Sequence, residues 1–229
     1  MKEYEIFLFD ADGTLFDFDL AEESAIQSMC ATSGLPYSPA LLIKYREISA
    51  QLCDDFEKGV LTQTELQTLR FSRLFDEIGF VYDASHFNGR YLVELGKGSF
   101  LLDGAVEICK ELVESGRVIY IVTNGFLAPQ TARIENSPII DYVSGYFVSE
   151  AVGFQKPHPS YFDYVFSHIP PVKKEKVLIV GDSLSADIAG GNNAGIDSCW
   201  LNGNGKHNET NIMPTYEIRE LNELRGLVF

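Results

Sequence analysis

The stretch Glu5-Ile6-Phe7-Leu8-Phe9, followed at once by Asp10-Ala11-Asp12-Gly13-Thr14, decides the fold of this chain. Its apolar half predicts a buried β-strand that ends in two carboxylates and a glycine. In open α/β sheets ligands bind at the carboxyl edge, where such a strand would present Asp10 and Asp12. On a regular strand these side chains would share a face and would repel each other unless a cation or a proton intervened. The alternative interpretation is a strand end with an ordinary Asp-Gly turn.

The composition is that of a globular protein that does not bind polyanions. The chain has 229 residues, of which 45% are hydrophobic and 22% charged, enough for one large domain or two small ones. Its net charge of −15 argues against a nucleic-acid polymer or a membrane surface as partner, but not against a small phosphorylated substrate. The first apolar run is too short for a signal peptide, and we expect a cytoplasmic protein with reduced, scattered cysteines.

Short β-branched or aromatic runs predict the strands of one sheet, at 6–9, 118–122, 146–148, 177–180, 199–201 and 216–218. Because helical patterns separate several of these runs, they indicate a parallel sheet that is covered on both faces. The helix before the second strand is predicted to have Asp103 as its N-cap and to end before Gly116.

Residues 17–97 show a different pattern, which predicts helices at 20–33, 39–56, 62–78 and 84–95 and no buried strand. Thr62-Gln63-Thr64-Glu65 has the form of a capping box at the start of the third helix. We therefore predict an all-helical domain, residues 17–97, inserted in a Rossmann-like α/β core of residues 1–16 and 98–229. Aromatic residues in or next to this region could stack on a nucleobase, although their helical spacing favours a core; examples are Phe16, Phe18, Tyr45, Phe56 and Phe71.

Polar residues follow two further elements in a way that suits a phosphate group. The second strand runs into Thr123-Asn124-Gly125, which offers neutral donors and a close backbone approach. Lys156, in Gly153-Phe154-Gln155-Lys156-Pro157, offers a compact positive charge with three donors. Taken singly, the first could be a plain turn and the second a solvated surface lysine.

The fourth predicted strand ends in acids, in Gly181-Asp182-Ser183-Leu184-Ser185-Ala186-Asp187. Asp182 is placed to bind a hard cation, and Asp187 could orient it or hold the neighbouring loop. Either acid could instead be a helix cap.

Together these segments resemble the four motifs of the haloacid dehalogenase superfamily of phosphatases. The matching residues, in order and spacing, are Asp10-Ala11-Asp12-Gly13-Thr14, Thr123-Asn124-Gly125, Lys156-Pro157, and Gly181-Asp182 with Asp187. The resemblance spans the chain, and the helical insert looks like the family's cap. Stretches such as Val148-Ser149-Glu150-Ala151-Val152-Gly153 look most like its pyrimidine 5′-nucleotidase branch.

The resemblance implies a Mg²⁺-dependent phosphomonoester hydrolase that acts on a small phosphorylated substrate, a nucleoside 5′-monophosphate. Asp10 would be the nucleophile that forms an aspartyl-phosphate, and Asp12 the general acid for the leaving alkoxide and then the base for water. Mg²⁺ would be held by Asp10, by Asp182 and by the main-chain carbonyl of Asp12, and Asp187 would support these ligands. The phosphoryl group would be bound by Thr123, Asn124, Gly125 and Lys156.

Other functions stay open on the motifs alone. They do not separate a nucleotidase from a sugar-phosphate or phosphoglycolate-type phosphatase or from a phosphomutase. Asp12 argues against a dehalogenase, because cleavage of a carbon–halogen bond releases no alkoxide that would need a proton from this residue. A catalytically inert binding module is the alternative of another class, and both a monomer and a homodimer are compatible with the sequence.

Overall fold

The computed structural model describes residues 2–228, apart from the side chain of Glu57. The chain divides into two compact units. The sheet unit comprises the described residues of Met1–Phe18 and Ser99–Phe229, and the helical unit is Asp19–Gly98.

The sheet unit is built on six parallel strands in the order β3-β2-β1-β4-β5-β6. They are β1 Ile6–Phe9, β2 Val118–Thr123, β3 Gly145–Val148, β4 Val177–Gly181, β5 Asp197–Leu201 and β6 Tyr216–Ile218. This topology confirms the predicted α/β class with a parallel, Rossmann-like sheet.

Helices lie between these strands along the chain and after the last of them. They are α1 Phe18–Ser33, α2 Pro39–Glu57, α3 Gln63–Ile78, α4 Ala84–Leu95, α5 Ala105–Glu114, α6 Leu127–Glu135, α7 Ser149–Val152, α8 Pro159–His168, α9 Ala189–Ala194 and α10 Arg225–Val228. Short 3₁₀ helices lie at Pro138–Tyr142, Lys174–Lys176 and Leu221–Leu224, and a π-helical turn spans Leu184–Ile188. Within residues 2–228, none of these helices combines the length and apolarity needed to cross a bilayer.

The central strand β1 is buried on both of its faces. Phe7 and Phe9 point into one apolar cluster, whereas Ile6 and Leu8 point into another. This alternation follows from the two-residue repeat of a strand, and it explains why the run reads as continuously apolar. Phe9 pairs with Ile121 of β2 and Val180 of β4, so the three strands reach the same sheet edge together.

The prediction that Asp103 caps the helix before β2 is wrong. Helix α5 begins at Ala105, one residue later than the pattern suggested, and Gly104 therefore stands at the N-cap without a side chain to accept a hydrogen bond. The predicted end holds, since the helix stops at Glu114, just before Gly116.

The helical unit contains α1 from Asp19 onward and α2 to α4, and its described residues include no strand. The predicted capping box is present, because Thr62 N–H donates to Glu65 at 2.8 Å and Glu65 N–H donates to Thr62 Oγ1 at 3.3 Å. Tyr45 and Phe71 are fully buried and stack with their ring centroids 5.2 Å apart. These two rings therefore form core and are not open to a ligand.

Candidate active site

Three carboxylates meet at the edge where β1 and β4 end. Asp10 follows β1, while Asp182 and Asp187 lie in the loop and π-helical turn after β4. One oxygen of each lies within 4.8 Å of the others. Asp10 and Asp187 are buried and Asp182 is exposed, so the cluster opens to solvent on the side of Asp182.

Lys156 lies between two of these carboxylates, those of Asp10 and Asp187. Its Nζ donates to Asp10 Oδ1 at 2.6 Å, Asp187 Oδ1 at 2.6 Å and the Val122 carbonyl at 2.7 Å. Burial opposes the charge on Lys156, but Asp10 and Asp187 outweigh it and raise the pKa of Lys156 above its ordinary value. The alternative of a solvated surface lysine is wrong, since only 1% of this side chain is exposed.

The carboxylates repel one another in spite of the lysine. Burial raises the pKa of Asp10 well above its ordinary value, with Lys156 opposing and Asp187 and Asp182 adding to the rise. Desolvation, together with the charge of Asp187, raises the pKa of Asp182 to about 6 even though part of the residue is solvent-exposed. The cluster is thus short of positive charge.

A Mg²⁺ ion fits this donor set. Carboxylate oxygens are the hard ligands that Mg²⁺ prefers, and an oxygen of each of the three acids lies within 4.8 Å of the others. When all groups are ionised, three carboxylates against one ammonium leave two negative charges uncompensated, which matches a divalent cation. Asp10, Asp182 and Asp187 are therefore the side chains that could hold it.

Asp187 also organises the loop after β4. Its Oδ2 accepts a hydrogen bond from Ser183 N–H at 3.1 Å, while its Oδ1 accepts from Lys156. Ser183, rather than Asp187, caps the π-helical turn by accepting from Ala186 N–H at 3.1 Å. The Asp182 carbonyl accepts from Trp200 Nε1 at 2.9 Å, which ties the loop to β5.

The segment after β2 is bound to the backbone of Lys156. Asn124 Nδ2 donates to the Lys156 carbonyl at 2.9 Å, and its Oδ1 accepts from Lys156 N–H at 2.8 Å. Thr123, the last residue of β2, is buried, and its Oγ1 accepts a hydrogen bond from Gly125 N–H at 3.3 Å. The Lys156–Pro157 peptide bond is cis. Asn124 thus holds in place the residue that pairs with the buried carboxylates.

Asp12 lies in a different set of contacts from Asp10. Its Oδ1 accepts from Arg133 Nη1 at 2.5 Å and its Oδ2 from Gln130 Nε2 at 2.5 Å. The shared strand face expected for the two acids does not form, because β1 ends at Phe9 and Asp12 lies in the following turn. Sequence reasoning missed Gln130 and Arg133; the available signal was their spacing of three residues on a helix that follows β2.

Comparison with known proteins identifies the family. The model of the haloacid dehalogenase-like hydrolases matches residues 4–195. YfnB of Bacillus subtilis (strain 168), named as a HAD-hydrolase, is 41% identical over 98% of this chain and 95% of its own. The pyrimidine 5′-nucleotidase PynA of Streptococcus pneumoniae (strain ATCC BAA-255 / R6) is 38% identical over 96% and 93%. YjjG of Escherichia coli (strain K12), also a pyrimidine 5′-nucleotidase, is 30% identical over 99% and 98%.

A solved structure agrees with the sequence relatives. The crystal structure of B. subtilis YfnB bound to magnesium, described as revealing interdomain movement, superposes with a TM-score of 0.94 at 40% identity and covers 99% of both chains. The resemblance that the motifs indicated, to this superfamily and its pyrimidine 5′-nucleotidase branch, is confirmed.

Proposed function

This chain belongs to the haloacid dehalogenase-like hydrolases and is a phosphatase, and we propose that it hydrolyses nucleoside 5′-monophosphates through an aspartyl-phosphate on Asp10. The observation that carries the proposal is the buried Asp10–Lys156–Asp187 arrangement beside Asp182. The names of the nucleotidases PynA and YjjG support the choice of substrate.

The two oxygens of Asp10 have different contacts, as suits a nucleophile. Lys156 binds its Oδ1 at 2.6 Å, while among residues 2–228 its Oδ2 accepts a long, 3.5 Å hydrogen bond from Thr14 Oγ1. Oδ2 is therefore the oxygen that we assign to attack on phosphorus. The attack forms the Oδ2–P bond and breaks the bond from phosphorus to the leaving oxygen.

Asp12 completes the two proton transfers. Its carboxylic acid gives a proton to the leaving oxygen as that bond breaks. Its carboxylate then takes a proton from the water that attacks phosphorus and releases Asp10. Thr123, Asn124, Gly125 and Lys156 are proposed to surround the phosphoryl group.

Mg²⁺ is the proposed cofactor. Of the three acids that could hold it, Asp10 and Asp182 would bind it together with the main-chain carbonyl of Asp12. Asp187, whose two oxygens already accept from Lys156 and Ser183, would support them. When bound, the ion screens the repulsion between the nucleophilic carboxylate and the anionic phosphate and polarises the phosphoryl oxygens.

The division of roles along the chain is also a proposal. Residues 1–16 and 98–229 would form the catalytic core, and residues 17–97 a helical cap that selects the leaving group. The four cysteines form no disulfide in the described part of the chain, which supports a reducing, cytoplasmic location. The protein would act as a monomer or a homodimer.

The test is phosphate release, with and without Mg²⁺, from pyrimidine and purine nucleoside monophosphates, ribose phosphate and phosphoglycolate. We expect the pyrimidine nucleotides to give the highest kcat/KM and chelation of Mg²⁺ to abolish the reaction. A strong preference for a sugar phosphate or for phosphoglycolate would overturn the nucleotidase proposal. Conversion of a hexose phosphate to its positional isomer would identify a mutase, and inertness towards every ester would indicate a binding module.

A further inference from the structure

Arg133 on α6 is a buried cation with a fixed position. None of its residue surface is exposed, and its Nη1 forms an ion pair with Asp12 Oδ1 at 2.5 Å. The guanidinium carbon lies 4.9 Å from the ring centroid of Phe16 and 5.8 Å from that of Phe18. A buried guanidinium is costly unless it is paired, and here a carboxylate and two aromatic rings provide the contacts. Its position relative to Asp12 is therefore tightly determined.

Gln130, three residues earlier on the same helix, binds the other oxygen of Asp12. Its Nε2 donates to Asp12 Oδ2 at 2.5 Å and lies 3.3 Å from Thr123 Oγ1. The side chain packs so closely on Gly125 that a Cβ there would come within 2.3 Å of Nε2. Gln130 thus joins Asp12 to the strand end that carries the proposed phosphate-binding groups.

We propose that Arg133 and Gln130 are positioning residues for Asp12, an inference that rests on the proposed function. Each oxygen of the Asp12 carboxylate has its own donor, so both the location and the plane of the carboxylate are set by one helix face. Asp12 must deliver its proton to the leaving oxygen and later accept one from water, and both transfers depend on this placement. A displacement of about 1 Å costs roughly 10²-fold in rate.

A merely structural role predicts a different outcome. If Arg133 and Gln130 only stabilised the fold, their loss would lower the rate for every phosphate ester alike. If they position the general acid, the loss depends on the leaving group, because an alkoxide needs the proton and a nitrophenolate hardly does.

The experiment compares Arg133→Met and Gln130→Leu with the wild type on methyl phosphate and para-nitrophenyl phosphate. We expect kcat/KM to fall about 10²-fold on methyl phosphate and less than about tenfold on the nitrophenyl ester. In an Asp12→Asn background, either substitution should lower kcat/KM by less than about threefold further, because the group it positions is already gone.

Arg225→Met is the matched control, since it removes a guanidinium that pairs with Glu111 at 2.6 and 2.7 Å outside the site. It should leave the ratio of the two kcat/KM values unchanged. Circular dichroism and thermal unfolding check each variant, and Gln130→Leu, which removes no charge, serves if Arg133→Met does not fold.

The outcomes separate the two proposals. A wild type that releases no phosphate from either ester or from the nucleoside monophosphates ends the phosphatase proposal and the positioning role with it. A wild type that hydrolyses both, with variants that lose the same factor on each, keeps the phosphatase and refutes the positioning role. A full additional loss in the Asp12→Asn background refutes it as well.

Discussion

Replacement of Lys156 by Met tests the electrostatics of the site directly. The ammonium makes three hydrogen bonds of 2.6 to 2.7 Å, two of them to the carboxylates of Asp10 and Asp187. Methionine is likewise unbranched, is one atom shorter and carries no charge. The variant therefore leaves two carboxylates facing each other without a counter-charge.

The expected cost is large because one partner of a buried ion pair is removed. Such a change destabilises proteins by about 3–5 kcal/mol, a substantial share of the roughly 5–15 kcal/mol by which a domain is stable. Adding Asp187→Asn to Lys156→Met removes one of the two facing charges and should restore about 1–2 kcal/mol. The same Asp187→Asn change should destabilise the wild type, so the sign of its effect reverses between the two backgrounds.

The free energy of unfolding is measured by urea titration in the presence of a chelator. Lys176→Met is the matched control, because that lysine pairs near the surface with Glu3 at 3.2 Å and Glu5 at 3.8 Å. Its effect should stay within about 0.5 kcal/mol. A cost below about 1 kcal/mol for Lys156→Met, or further destabilisation by Asp187→Asn, would refute the reasoning.

The loss of stability caused by Lys156→Met should also depend on pH. The pKa of Asp10 is raised in the folded protein, and Lys156 opposes that rise. An acid whose pKa is higher in the folded than in the unfolded state favours folding at low pH, and this contribution is lost as the pH rises through the folded-state pKa. The cost of Lys156→Met should therefore grow as the pH rises through the folded-state pKa of Asp10, and urea titrations over a series of pH values measure it.

Three further changes test separate parts of the structure. Asp10→Asn should lower phosphate release at least about 10³-fold while the circular dichroism spectrum is retained, and near-normal turnover would contradict the nucleophile assignment. For Asp182, the pKa is raised from 3.8 to about 6, so its contribution to the stability of metal-free protein falls as the pH rises through that interval. Because solvent screens this residue, the free energy of unfolding should fall by only about 1 kcal/mol over that interval in urea titrations, and Asp182→Asn should abolish this fall. Mg²⁺ should raise the Tm of the wild type but not of the variant. Thr62→Ala should cost about 1 kcal/mol in urea titrations by removing the capping box, whereas Thr62→Ser should be nearly neutral.

Local patterns were enough to predict most of the fold. The apolar run that ends at Phe9 predicted β1 as the structure has it, because four buried side chains on a doubly covered strand leave a continuous apolar signature. The capping box at Thr62 was predicted because both of its hydrogen bonds join residues three apart. The N-cap of α5 was missed because the helical pattern does not define its own first residue to better than one or two positions.

The site was predictable only in part. Asp10, Lys156 and Asp182 could be named because each follows a strand or lies in a motif, and the sheet brings such positions to one edge. The assignment of catalytic roles to them stays a prediction. Gln130 and Arg133 carry only the weaker signal of their three-residue spacing, since a glutamine and an arginine on a short helix are typical of a solvated face.

By itself, then, the sequence determined the parallel sheet, the helical segment and the edge at which acids, amide and lysine gather, because periodicity and strand ends are encoded by neighbouring residues. Only the tertiary structure decided that Lys156 is buried between Asp10 and Asp187, and that Asp12 turns to Gln130 and Arg133. The residues in these contacts lie 31 to 146 positions apart. The direction in which a charged side chain points is set by the partners that replace its water, and those partners exist only once the chain has folded.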